Sequence, residues 1–151
     1  TPLLTIERGD RILYGETEIA ILSPDEGWRE SAAMNDTSIV SLVKPPFYSL
    51  LLTGDIGMNV EEALASRGSL RAHILKVGHH GSKYSSGKEF LESVRPAIAI
   101  IEVGENRYGH PTEEALERIQ GSGAQVFRTD RDGSIKIVSQ GGRVQVISLR
   151  R

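Results

Sequence analysis

The sequence predicts an α/β (α+β) fold built on one substantial mixed sheet with helices on one face. Two patterns carry this expectation. Short alternating apolar runs punctuated by turn residues fill the first third, and strands alternate with helices from about residue 70 onward. No internal repeat, low-complexity tract or long polar linker interrupts the chain, so residues 1–151 read as a single unit.

The elements follow in order. Residues 11–14 and 18–22 are apolar runs separated by Gly15 and ended by Ser23-Pro24, which reads as two strands of a meander. Residues 24–35 are polar, hold the lone Trp28 and read as a loop. Residues 38–43 and 47–53 flank Lys44-Pro45-Pro46, a turn that makes them a hairpin. A short helix is expected over residues 60–68, with Asn59 as N-cap, Glu61 and Glu62 in its first turn and Gly68 as C-cap. A strand at 73–77 then leads to a helix at 88–94 stopped by Arg95-Pro96. A strand at 97–103 leads to a helix at 112–120, capped by Thr112 and reinforced by Glu113 and Glu114. A strand at 125–128 and a hairpin of 134–139 and 143–149 around Gly141-Gly142 complete the chain.

Composition bounds the function. Of 151 residues, 38% are hydrophobic and 25% charged, enough for a sizeable core. A formal net charge of −2 excludes a polycation that binds nucleic acid by bulk charge alone. No apolar run approaches the roughly 18 residues of a membrane span, so no lipid contact is expected. The absence of Cys excludes thiolate metal sites and leaves His, Asp and Glu as the ligand types. The 16 glycines, about 11% against a usual ~7%, point to many tight loops. The chain begins with Thr1 rather than Met and reads as a piece of something longer.

Three loops follow apolar strands and carry ligand-competent residues: Thr53-Gly54-Asp55, Gly78-His79-His80-Gly81-Ser82 and Tyr108-Gly109-His110-Pro111. Ligands gather where such loops converge at the carboxyl ends of strands. Three of the 4 histidines fall there. Imidazole and carboxylate ligands suit Zn, Mn or Fe. Asp55 alone is an ordinary turn residue or cap, and His110 alone is balanced between loop residue and site residue. Adjacent histidines between two glycines are costly to place in a core, which favours a site role for His79 and His80. His73, with no glycine beside it, reads as structural, and Asp130, Asp132 and Gly133 read as turn chemistry. Lys76, Lys83, Lys88 and Arg71, with Arg107 near His110, outline a cationic patch that a solvated surface explains equally well. Ser82 lacks the G-x-S-x-G setting of a nucleophile and reads as a hydrogen-bonding loop residue.

Taken together, Thr53-Gly54-Asp55, Leu75-Lys76-Val77-Gly78-His79-His80-Gly81-Ser82 and Tyr108-Gly109-His110-Pro111 resemble the metallo-β-lactamase-fold hydrolases. Among these they are most similar to the extramembrane domain of the ComEC competence proteins, which import DNA. The likeness runs from Gly9-Asp10 through Leu22-Ser23-Pro24 and the stretch Asn35 to Val40, and on to Gly133-Ser134-Ile135. It implies the second half of an αββα sandwich with two divalent metal ions, Zn or Mn, at the sheet edge. Asp55 would bridge the metals and His80 would be a ligand. His79 would be a second ligand candidate or substrate contact, and His110 a substrate-side or proton-transfer residue, which makes these two the catalytic candidates. Asn35, Ser38, Ser82 and Lys83 would lie on the substrate side.

The implied activity is hydrolysis of DNA, a single strand during transformation, by a hydroxide held between metals roughly 3.5–4 Å apart. The implied partners are the first half of the domain and a membrane channel in the same chain. The implied location is the extracellular or periplasmic side of a bacterial plasma membrane. An H-x-[HD]-x-D-H motif is missing, and no His precedes His73. The chain alone is therefore expected to bind metal weakly and to lack nuclease activity. A phosphoesterase acting on phosphocholine or a similar substrate, and a catalytically inactive DNA-guiding module, are the competing expectations.

Overall fold

A computed structural model describes residues 5–25 and 34–149. The first hairpin pairs β1 (Arg11–Tyr14) with β2 (Thr17–Ser23), and β2 pairs with β3 (Val40–Lys44), all antiparallel. The prolines after Lys44 turn the chain into β4 (Leu50–Leu52), which is antiparallel to β3 as expected. From β4 onward the sheet becomes parallel: β5 (Ile74–Lys76), β6 (Ile98–Ile101) and β7 (Gln125–Arg128) are added in sequence order. The result is one mixed seven-stranded sheet, β1 to β7 in order.

Each parallel step needs a crossover. These are α1 (Met58–Ser66), α2 (Lys88–Val94) and α3 (Glu113–Gly121). Residues of all three helices pack with one row of strand residues in a single core, so the helices lie on the same face of the sheet. A single turn, α4 (Thr129–Asp132), then leads into the separate hairpin β8 (Ser134–Gln140) and β9 (Arg143–Leu149). Its Gly142 tip lies against the Phe47 ring in the β3–β4 turn, so the hairpin runs the height of the sheet.

The core follows from strand register. Leu42, Leu51, Leu75, Ala99 and Val126 are cross-strand neighbours in one continuous row. They meet Val60 and Leu64 of α1, Phe90, Leu91 and Val94 of α2, and Ile119 of α3. Ile74 and Ile100 point to the opposite face and are also buried. α2 occupies the expected residues and ends where Arg95 turns left-handed at φ 49°. α3 is capped as expected, with the Thr112 side chain accepting from the Ala115 N–H.

Three expectations need correction. α1 begins earlier than the sequence suggests: its N-cap is Gly57, which has no side chain to cap with. Asn59 lies inside the first turn, and its amide donates instead to Asp36 Oδ2 at 2.7 Å, a tertiary partner that outcompetes the local cap. The C-cap is Arg67, with Gly68 following it. The expected loop at 24–35 lies largely outside the described residues, Trp28 included, but Met34–Thr37 forms a 3-10 turn that holds Asn35.

Leu75 is fully buried on β5, one of the two inner strands of the parallel half. Leu75→Ala should cost about 2–5 kcal/mol, read as a lower urea midpoint with an unchanged slope.

Candidate active site

Because β4, β5 and β6 run parallel, the loops that follow them leave from one edge. Two glycines let those loops touch. Gly54 has φ +57°, and a Cβ there would fall 2.7 Å from Ser38 Cβ. Gly81 has φ +78°, and a Cβ there would fall 2.6 Å from Pro111 Cβ. Backbone bonds fasten the contact: the His79 N–H donates to Gly54 O at 3.2 Å, and the Thr112 N–H to Gly81 O at 2.9 Å. The buried Thr53 hydroxyl donates to Lys76 O at 2.7 Å, and the Asp55 N–H donates to Ser38 Oγ at 3.2 Å. The three sequence motifs thus form a single site.

His79 and His80 both adopt left-handed backbone, φ 48° and 54°. That conformation costs roughly 1–2 kcal/mol per residue for an L-amino acid, and strain of this kind collects at functional sites. The turn aims the two rings differently. His80 Nδ1 lies 2.7 Å from Glu102 O. A carbonyl can only accept, so Nδ1 carries a hydrogen, and in the neutral ring Nε2 presents a lone pair. That Nε2 lies 3.6 Å from Asp55 Oδ1, too far for a hydrogen bond. Two acceptors therefore face each other. Ligands about 2.0–2.1 Å from a tetrahedral ion stand about 3.3–3.4 Å apart, slightly closer than this pair. The hydrogen bond from Nδ1 to a carbonyl is the usual outer support of such a ligand. Both side chains are accessible, at 46% and 40% exposure. Among the described residues no group of three or more ligand-type side chains converges.

His79 leans toward His110 instead, edge to face, with ring centroids 5.8 Å apart. Burial, and next the imidazoles of His79 and His80, hold the His110 pKa below its ordinary 6.5. The shift favours the neutral imidazole. Its loop is fixed by Asn106, whose side-chain amide donates to Gly104 O and His110 O and accepts from the Tyr108 and His110 N–H groups.

The remaining candidates occupy distinct places. Ser38 meets the Asp55 backbone, and Asn35 O accepts from the Ser38 N–H. Ser82 is buried, and its hydroxyl accepts from the Tyr84 N–H, so it builds the loop from inside. Lys83 Nζ sits 5.1 Å from the Tyr84 ring centroid. The cationic group named from sequence is not one patch. Arg71 lies with Ser49 and His73 at the amino end of β5, where His73 Nδ1 accepts from the Ser49 N–H, and Lys88 faces Glu92. Lys76 does reach the edge: its Nζ donates to Gly54 O at 3.1 Å and lies 3.9 Å from Glu102 Oε2.

Glu61 lies in the first turn of α1 as expected, and it is fully buried there, accepting from the Ser86 and Gly87 N–H groups at 2.7 and 2.8 Å. Arg118 grips the same loop from the other side, donating to the carbonyls of Lys83, Ser85 and Ser86. Through Ser85, whose hydroxyl donates to Gly78 O, the clamp reaches the double-histidine turn. A signal was available: Glu61 shares the buried stripe of α1 with Val60 and Leu64.

Burial pushes the Glu61 carboxyl up from 4.5 to about 7, against the pull of the two amides and Arg118. The folded chain then holds a proton that the unfolded chain releases. The stabilisation is complete below pH 4.5 and declines as pH rises to about 7, by about 3 kcal/mol. In urea unfolding across that range, Glu61→Gln should remove this decline. An identical pH slope in the variant would contradict the assignment.

No protein-family profile matches the chain. Curated relatives do. It is 37% identical over 133 residues to ComE operon protein 3 of Bacillus subtilis, covering 87% of this chain and 17% of that protein. It is 35% identical over 136 residues to competence protein ComA of Neisseria gonorrhoeae, covering 88% and 19%. It is also 37% identical over 106 residues to recombination protein 2 of Haemophilus influenzae, covering 70% and 13%. The chain thus spans less than a fifth of the length of these relatives. Its three edge loops therefore belong to a chain related to one segment of ComEC-type competence proteins.

Proposed function

We propose that this edge is part of a metal-dependent phosphodiesterase site that acts on DNA, a single strand, within a competence protein. One observation carries the reading: His80 Nε2 and Asp55 Oδ1 turn facing acceptors on each other across 3.6 Å. In this reading the domain is a metallo-β-lactamase-type αββα sandwich, with further ligands supplied by the rest of a longer protein. DNA uptake enters from the relatives' competence names, and the location outside the membrane from the resemblance. No helix among the described residues is long and apolar enough to cross a membrane.

The donor set, one carboxylate and one imidazole, fits Zn or Mn. When bound, such an ion supplies a Lewis acid beside the scissile phosphate. The chain's own residues do the rest. Asp55 and His80 are held at fixed spacing by Ser38 and by the Glu102 carbonyl. His110 can take a proton from the attacking water and, once protonated, pass it to the leaving oxygen. The Lys76 ammonium adds positive charge next to the Asp55 turn.

In the full-length protein, Asp55→Asn and His80→Ala should each lower metal-dependent cleavage of a labelled single strand by at least about 100-fold. Unchanged cleavage in both variants would overturn the reading. DNA binding without any cleavage by the unmodified protein would favour a guiding module instead. For the chain by itself, elemental analysis after dialysis against Zn or Mn should return well under two ions per chain. Two tightly held ions would contradict the expectation that the rest of the site lies elsewhere.

A further inference from the structure

An aromatic ladder starts at His79, beside the Asp55–His80 pair. His79 meets His110 edge to face at 5.8 Å, and His110 in turn stacks with Tyr108 at 5.9 Å and an interplanar angle of 22°. The last ring is 82% exposed. An exposed aromatic ring on a surface loop is ordinary when the loop is loose. This loop is not loose, because the Asn106 side chain makes four hydrogen bonds within it, two of them to the backbone of His110 and one to the N–H of Tyr108. The ring is therefore presented in a set orientation, with its ordering cost met before any ligand arrives. The His110 Nδ1 atom is buried without a partner, so on that side the ring is held by packing.

We propose that Tyr108, backed by His110, is a stacking platform for one unpaired nucleobase of the strand whose phosphate sits at Asp55 and His80. This rests on the reading of that edge as a phosphodiester site, and it adds what selects the substrate. A flat aromatic face accepts any base, because every base has a π-face, so the platform confers no sequence preference. It does discriminate strandedness. In a duplex both faces of an internal base are covered by its neighbours, whereas a base in a single strand can leave its stack for the ring. The proposed selectivity is therefore for single-stranded over duplex ends, independent of sequence.

The test is binding of fluorescein-labelled oligonucleotides to the full-length protein with chelator present, so that cleavage plays no part. Three probes of equal length are compared: oligothymidylate, an abasic strand with the same phosphates, and a duplex. The unmodified protein should prefer oligothymidylate to the abasic strand by about 5- to 150-fold, the range for stacking one base. Tyr108→Ala should erase that preference without changing abasic-strand binding, and Tyr108→Trp should preserve it. Equal binding of oligothymidylate and the abasic strand, or a preference that survives Tyr108→Ala, would overturn the platform. So would tighter binding to duplex. Loss of cleavage in Asp55→Asn would stand in those cases, which separates failure of the platform from failure of the phosphodiesterase reading.

Discussion

The parallel pairing of β4, β5 and β6 is the constraint on which the site depends. Leu51, Leu75 and Ala99 stand side by side across those strands and face the helices. Alternation along a strand means that a slip of one residue would turn this row outward, so burial fixes the register. Fixed register brings the three strands to an end at one edge, and the next residues of each have nowhere to go but into one another. Gly54 and Gly81 then become necessary for reasons of space, because a Cβ at either would collide with Ser38 or Pro111. Packing on one face of the sheet thereby sets the spacing of Asp55 and His80 at its edge.

The same edge holds the costs that the core offsets. Two histidines in left-handed backbone and a carboxylate buried beside them are each unfavourable taken singly. They persist because the surroundings over-determine them. Glu61 and Arg118 together satisfy five backbone groups of the loop that follows the histidines. That loop contains Ser86, which is itself left-handed at φ 59°. Removing the clamp would release the strain at the place where the His80 ring must stay oriented. Stability and site geometry are therefore coupled through two residues that touch no candidate ligand.

Much of this is legible in the amino-acid sequence, and the reasons differ by element. The strands read correctly because their apolar runs are short and bounded by Gly and Pro, which act locally. Thr112 reads correctly as a cap because its partner, the Ala115 N–H, is three residues away. Asn59 misleads because its partner, Asp36, is 23 residues distant and no local pattern reveals it. Glu61 reads correctly as a first-turn residue, and its place on one stripe with Val60 and Leu64 hints at burial, but its partners, the Ser86 and Gly87 N–H groups, are 25 and 26 residues away and have no local signal. The loops of the site were visible as Gly-flanked His and Asp, but the tautomer of His80 was not. That depends on the Glu102 carbonyl, which carries no side-chain signal at all.

The central claim is that His80 offers Nε2 toward Asp55 because its Nδ1 hydrogen is committed to Glu102 O. Long-range ¹H–¹⁵N correlation of the labelled chain reads this directly, first without metal and then during a Zn titration. The account predicts that His80 is the Nδ1–H tautomer and that Zn shifts its Nε2 resonance, with His73, bonded to Ser49 at the far end of β5, left unmoved. An Nε2–H tautomer at His80, or a Zn-induced shift at His73 with none at His80, would contradict it.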